Sequence, residues 1–154
     1  MTPEPPASPP ALKRLHRQLG AAWLALTAAV AVHVTDEALT DFLSVYNPSV
    51  RAVRARLPLP TFTFGVWLAG LIAAIVLLFA LAPLAFRGRR PAVWLAYPYV
   101  VLMFANGCGH LGGSLYFARW MPGVSSAPLL LVASVLLLLA ARRVHRAPVG
   151  PVAD

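Results

Sequence analysis

His33, Asp36 and Glu37 close an apolar stretch long enough to cross a bilayer, and their spacing puts all three on one helical face. Asn106 and His110 form a second polar pair, four residues apart, inside a later apolar stretch. Ionisable groups in such a setting cost about 2.5–3.5 kcal/mol each near a helix centre, so a chain that keeps several together has a use for them. Two imidazoles, two carboxylates and an amide support three kinds of role. In the reading favoured by the sequence, the chemistry is metal-free acid–base catalysis on a hydrophobic, lipid-like small molecule, of isomerase or hydrolase type. Glu37 or Asp36 then transfers the proton, His33 is its partner, and Asn106 and His110 orient substrate or stabilise developing charge. In the second reading, His33, Glu37 and His110 hold a divalent metal, zinc or iron. In the third, the groups hydrogen-bond one another and fix helix register. Glu37 is the better placed acid because it shares the His33 stripe; Asp36 could equally sit in water at the interface.

The elements that must position these groups are legible as long apolar runs. The chain is 59% hydrophobic and only 12% charged, with a mean hydropathy of +0.72, which is the composition of a small polytopic membrane protein. The net charge of +8 does not point to nucleic acid, because the basic residues flank the apolar runs as topology signals do. Residues 1–17 read as a disordered extension, with five prolines in Met1–Pro10 followed by Lys13, Arg14 and Arg17. Residues 18–142 read as the transmembrane domain, with spans at about Leu19–Leu39, Thr61–Phe86, Ala92–Phe117 (bent near Pro98) and Val124–Ala141. A cleaved signal peptide is the rival for the first span, given Ala29-Val30-Ala31, but the polar residues on the same stripe argue for retention. Asn47-Pro48 marks a turn in the polar connection Asp41–Pro60, Val50–Leu57 suits a short interfacial helix, and residues 143–154 suit a loose tail.

Four crossings put Lys13, Arg14, Arg17, Arg87, Arg89, Arg90, Arg142, Arg143 and Arg146 on one side and Arg51, Arg54, Arg56 and Arg119 on the other. The predicted fold class is therefore an all-α polytopic membrane protein, a four-transmembrane-helix bundle with both termini cytoplasmic. Depth then aligns the two polar groups. At ~1.5 Å per residue, His33 lies about 22 Å from the cytoplasmic start of its span, Asn106 about 21 Å and His110 about 27 Å. The Ala21, Ala25, Ala29 track on the first span and Ala105, Gly109, Gly113 on the third suggest that these two backbones approach closely.

Three short motifs resemble those of a family of small bacterial membrane proteins named for an HXXEE motif. His33-Val34-Thr35-Asp36-Glu37 is similar to HXXEE, with aspartate at the fourth position. Asn106-Gly107-Cys108-Gly109-His110 matches NxxxH, and Trp120-Met121-Pro122-Gly123 is similar to YxPG with tryptophan first. The resemblance covers about Leu19 to Ala141 and implies several transmembrane helices and a cell-membrane location; it implies no reaction.

The remaining candidates are weaker. Tyr116 and Trp120 follow His110 outward and could line a pocket mouth, with Gly109 and Gly113 giving substrate room. Trp23, Trp67, Trp94 and Trp120 read as interfacial anchors. Cys108 is the one cysteine, so no intrachain disulfide can form, and its glycine neighbours suit a small packing residue. The expected partners are the bilayer and a hydrophobic small molecule. A transporter would need polar residues continuing toward the cytoplasmic side, and no inverted repeat is evident. A scaffold or accessory subunit would need only a closed polar network.

Overall fold

A computed structural model describes residues 9–54, 56 and 58–147. The chain forms five helices: α1 Pro9–Leu39, α2 Leu43–Val53, α3 Phe64–Phe86, α4 Arg90–Tyr116 and α5 Ala127–Arg146. All except α2 are long and apolar enough to cross a membrane. The Pro-rich segment through Ser8 and the tail from residue 148 lie outside the described residues.

Three element boundaries differ from the sequence reading, each for a local reason. α1 is described from Pro9, ten residues before the apolar stretch, because the basic segment that precedes that stretch is itself helical. α5 continues to Arg146, with Arg143, His145 and Arg146 in its last turn, where cations complement the helix dipole. The helix expected at Val50–Leu57 instead begins at Leu43, and Pro48 lies inside it rather than in a turn. Asp41, at φ 56°, reverses the chain between α1 and α2. Asn47 does not start a turn either; its side-chain amide donates to the Phe62 carbonyl at 2.9 Å and accepts from the Phe62 N–H at 3.1 Å. That two-point clasp ties α2 to the strand-like approach to α3. α4 runs unbroken through Pro98.

The packing order is α3–α1–α5–α4: α1 lies against α3 and α5, α4 lies against α5, and α3 touches α4 lightly. The expected backbone approach of the first and third spans through small residues therefore does not occur. Ala21 and Ala25 are exposed, and a Cβ added at Gly109 or Gly113 would meet nothing within 4 Å. α1 and α4 face each other through long side chains instead. Trp23 stands 5.4 Å from Tyr99, ring centre to ring centre, and the Tyr99 hydroxyl donates to Thr27 at 3.3 Å.

Trp23 corrects a second expectation. It is fully buried, and its Nε1–H donates to the Leu78 carbonyl of α3 at 2.8 Å, so it is core rather than an interfacial anchor. Trp67 is also buried, whereas Trp94 and Trp120 stand outside. Around Trp23 the core is built from Leu19, Leu26, Ala85, Ala96, Leu130 and Leu137. The outer surface is apolar too: Val66, Val76, Leu77, Val101, Leu102 and Val132 are all more than half exposed. α3 buries only Trp67, Ala82 and Ala85 of its 23 residues, an arrangement that water would penalise along the whole helix.

Candidate functional site

His33 and Glu37 project from consecutive turns of α1 and His110 from α4, and all three converge. Glu37 Oε1 lies 3.0 Å from His110 Nε2 and 3.5 Å from His33 Nε2. Ligand atoms of the three residues fit within 4.8 Å of one another. His33 and Glu37 are 3% and 4% exposed, so little water reaches the group. The two imidazoles meet edge to face, 4.7 Å between centres.

The far side of each imidazole is fixed by the segment that leads into α5. His110 Nδ1 lies 2.6 Å from the Pro122 carbonyl. A carbonyl only accepts, so Nδ1 carries the proton and donates. His33 Nδ1 lies 2.8 Å from Ser126 Oγ. That hydroxyl has one proton, and its closest acceptor is Asp36 Oδ2 at 2.7 Å; it must therefore accept from His33, whose Nδ1 is again the donor. Asp36 also accepts the Ser126 backbone N–H at 3.1 Å, at the start of α5, where the helix dipole favours an anion. Asp36 is thus tied to Ser126 rather than free in water. It holds Ser126, and Ser126 holds His33.

Each imidazole turns its Nε2 toward the same carboxylate oxygen. With both rings neutral, three acceptors would face one another with no proton between them. Protonation of His110 would satisfy its contact with Glu37 but not that of His33, whose Nε2 is buried with no hydrogen-bond partner. A cation among the three satisfies all of them. Histidine metal ligands characteristically donate their second nitrogen to a carbonyl or other acceptor, as both do here. Among the described residues, this is the one such group of histidine, cysteine and carboxylate side chains.

Gly123 lies beneath both rings. Its φ is +80°, and an added Cβ would come 2.7 Å from His110 Cε1 and 3.0 Å from His33 Cε1. Gly123→Ala is expected to cost about 1–2 kcal/mol from backbone conformation alone, and to spread the imidazoles as well. A lowered thermal midpoint together with lost metal uptake in the purified variant would check both effects. Ser126→Ala should be milder, removing about 1–2 kcal/mol of hydrogen bonding. Because His33 then loses only its orienting partner, metal affinity should fall roughly 10–100-fold, measurable by competition with a chelator.

Beside the centre runs a groove of about 260 Å³, lined by Phe42, Val45, Asn106, Gly109, His110, Gly113, Met121 and Pro122. Asn106 lies one turn before His110 and does not reach Glu37; its Oδ1 is buried without a partner. Gly109 and Gly113 do give the groove room. Tyr116 and Trp120 do not line it: they are 84% and 77% exposed, and the Trp120 indole N–H donates to Ser125 at 3.2 Å. The contributions of Ser126, Phe42 and the Pro122 carbonyl escaped sequence reasoning. Ser126, just before Ala127-Pro128, carried a helix-start signal that could have drawn attention to it.

The three motifs therefore meet at one place: His33 and Glu37, His110, and the Pro122-Gly123 turn that fastens and accommodates the rings. A family described as "Protein of unknown function with HXXEE motif" matches residues 23–138. The chain belongs to this HXXEE family. No curated protein matches it, and no solved structure matches it. The geometry also accommodates aspartate at the fourth position of the HXXEE motif. Asp36 needs only a carboxylate oxygen at Ser126, so the change does not disturb the converging groups.

Proposed function

We propose that this HXXEE protein is an integral protein of the bacterial cell membrane, with both termini in the cytoplasm, and that His33, Glu37 and His110 bind one divalent zinc or iron ion in its outer leaflet. The nine-to-four split of basic residues supports the orientation, and the apolar outer surface supports the bilayer. The observation that carries the metal is the convergence of two Nε2 atoms on one carboxylate oxygen, each imidazole being fastened behind. Ligand bonds of 2.0–2.2 Å in a tetrahedral site imply ligand–ligand separations of roughly 3.3–3.6 Å. The 3.5 Å contact of His33 with Glu37 falls in that range, and the 3.0 Å contact of His110 lies just below it.

Two histidines and one carboxylate leave a coordination position open, the pattern of catalytic rather than structural sites. When bound, the ion supplies a Lewis acid and an activated water. The chain's own residues do the rest. The groove admits an apolar molecule between Phe42 and Met121, the unpartnered Asn106 Oδ1 accepts a donor group on that molecule, and Ser126 and Pro122 keep the imidazoles aimed. The favoured reaction is therefore hydrolysis or isomerisation of a lipid-like small molecule. The metal-free alternative rests on the 3.0 Å Glu37–His110 contact, with that pair exchanging a proton with substrate. It leaves His33 Nε2 without a function.

Elemental analysis of the purified chain in detergent separates the two. About one zinc or iron per chain, lost in His33→Ala and in His110→Ala while both variants remain folded, supports the metal centre. Absence of stoichiometric metal after exposure to both ions would leave the metal-free reaction in possession of the site.

A further inference from the structure

We infer that the opposite, basic end of the bundle holds a binding site for the phosphate of an anionic phospholipid headgroup. A cavity of about 460 Å³ opens there between the start of α1, the α3–α4 turn, the start of α4 and the end of α5. His16, Arg90 and His145 supply its polar wall, and Leu12, Val93 and Val144 its apolar one. Each polar group is placed by the fold. The His16 ring lies so close to the α3–α4 turn that a Cβ on Gly88 would fall 2.2 Å from its Nε2, and Gly88 itself has φ +59°. His145 is held edge-on between Trp94 at 5.2 Å and Tyr97 at 6.2 Å. Arg90 opens α4, whose first turn has no acidic residue, and it lines the same cavity as the two imidazoles.

No carboxylate among the described residues is available to neutralise this end. Asp36, Glu37 and Asp41 lie at the other end of α1, and Glu4 and Asp154 fall outside the described residues. Nine lysine and arginine side chains cluster here, and a guanidinium with two imidazole donors matches the oxygens of a phosphate diester. A lipid is the source favoured over free phosphate because the cavity's apolar wall continues onto exposed Trp94, at the level where the apolar spans end and headgroups lie. This inference rests on the membrane placement proposed above and is independent of the metal.

Native mass spectrometry of the detergent-extracted chain tests it, comparing retained phosphatidylglycerol with retained phosphatidylcholine. The wild type should hold the anionic lipid about tenfold more strongly. Arg90→Gln/His145→Gln should approach parity, and His145→Gln alone should fall between. Arg142→Gln/Arg146→Gln removes two charges from exposed positions at the same end but outside the cavity, and should keep the preference. Equal retention of the two lipids would overturn the site, as would equal loss in the second double variant, which would mark diffuse attraction. Displacement of the lipid by millimolar inorganic phosphate would overturn the lipid assignment. Recovery of the chain without detergent would overturn the membrane placement itself, a failure distinct from loss of selectivity.

Discussion

Glu37→Ala should abolish stoichiometric metal binding in the purified protein, while Glu37→Gln should retain the fold but bind metal far more weakly. Glu37 Oε1 is the atom both imidazoles face, at 3.0 and 3.5 Å, and its removal leaves two neutral nitrogens with no balancing charge for a divalent ion. The loss should therefore exceed the roughly 10–100-fold that follows from removing a supporting hydrogen bond. Glutamine keeps shape and one oxygen but not the charge, which separates a ligand from a packing group. If Glu37→Gln bound metal as tightly as the wild type, the carboxylate would not be a ligand. The comparison is sharpened by Asp36→Asn. That carboxylate contacts Ser126 and not the imidazole Nε2 atoms, so its replacement should weaken metal binding only within the range of a supporting residue.

The largest stability effect should come from a residue outside the site. Trp23→Ala removes a side chain with no exposed surface, a 2.8 Å hydrogen bond to the Leu78 carbonyl and the ring packed on Tyr99. Aliphatic lipid is as apolar as a protein core, so burial by itself stabilises a helix pair little in a bilayer. What is lost is packing: the cavity left at the junction of α1, α3 and α4 cannot collapse without moving a helix, at a cost of about 3–5 kcal/mol. Trp94→Ala is the matched control. Its ring is 61% exposed, and its removal should change stability by about 0.5 kcal/mol or less. Thermal unfolding of both variants in the same detergent measures the difference, and comparable losses would contradict the core assignment of Trp23.

The contrast between these two tryptophans shows where sequence reading stopped. Helix lengths follow from local hydropathy, and the similar distance of His33 and His110 along their helices follows from helical rise, so their meeting was legible without any tertiary information. The HXXEE, NxxxH and YxPG-like segments were legible for the same reason, as residue types at fixed spacing. Which helices are neighbours is a different matter. Apolar residues cover every face of α3 and α4, so no stripe tells core from lipid; Trp23 and Trp94 look alike in sequence and occupy opposite environments. The small-residue track on α1 suggested contact with α4, yet α5 lies between much of the two. Asp36 and Ser126 are 90 positions apart, and no local pattern announces a bond between them. Gly123 carried a hint through its neighbour Pro122, but its role beneath two imidazoles needed the fold.

X-ray absorption at the metal edge of the zinc- or iron-loaded protein would test the central claim most directly. Two imidazole nitrogens and carboxylate or water oxygen at about 2.0–2.2 Å is the expected first shell, and His110→Ala, which loses the ion, should give no such shell. A shell made only of oxygens, or one containing sulfur from Cys108, would place the ion elsewhere and contradict the His33–Glu37–His110 centre.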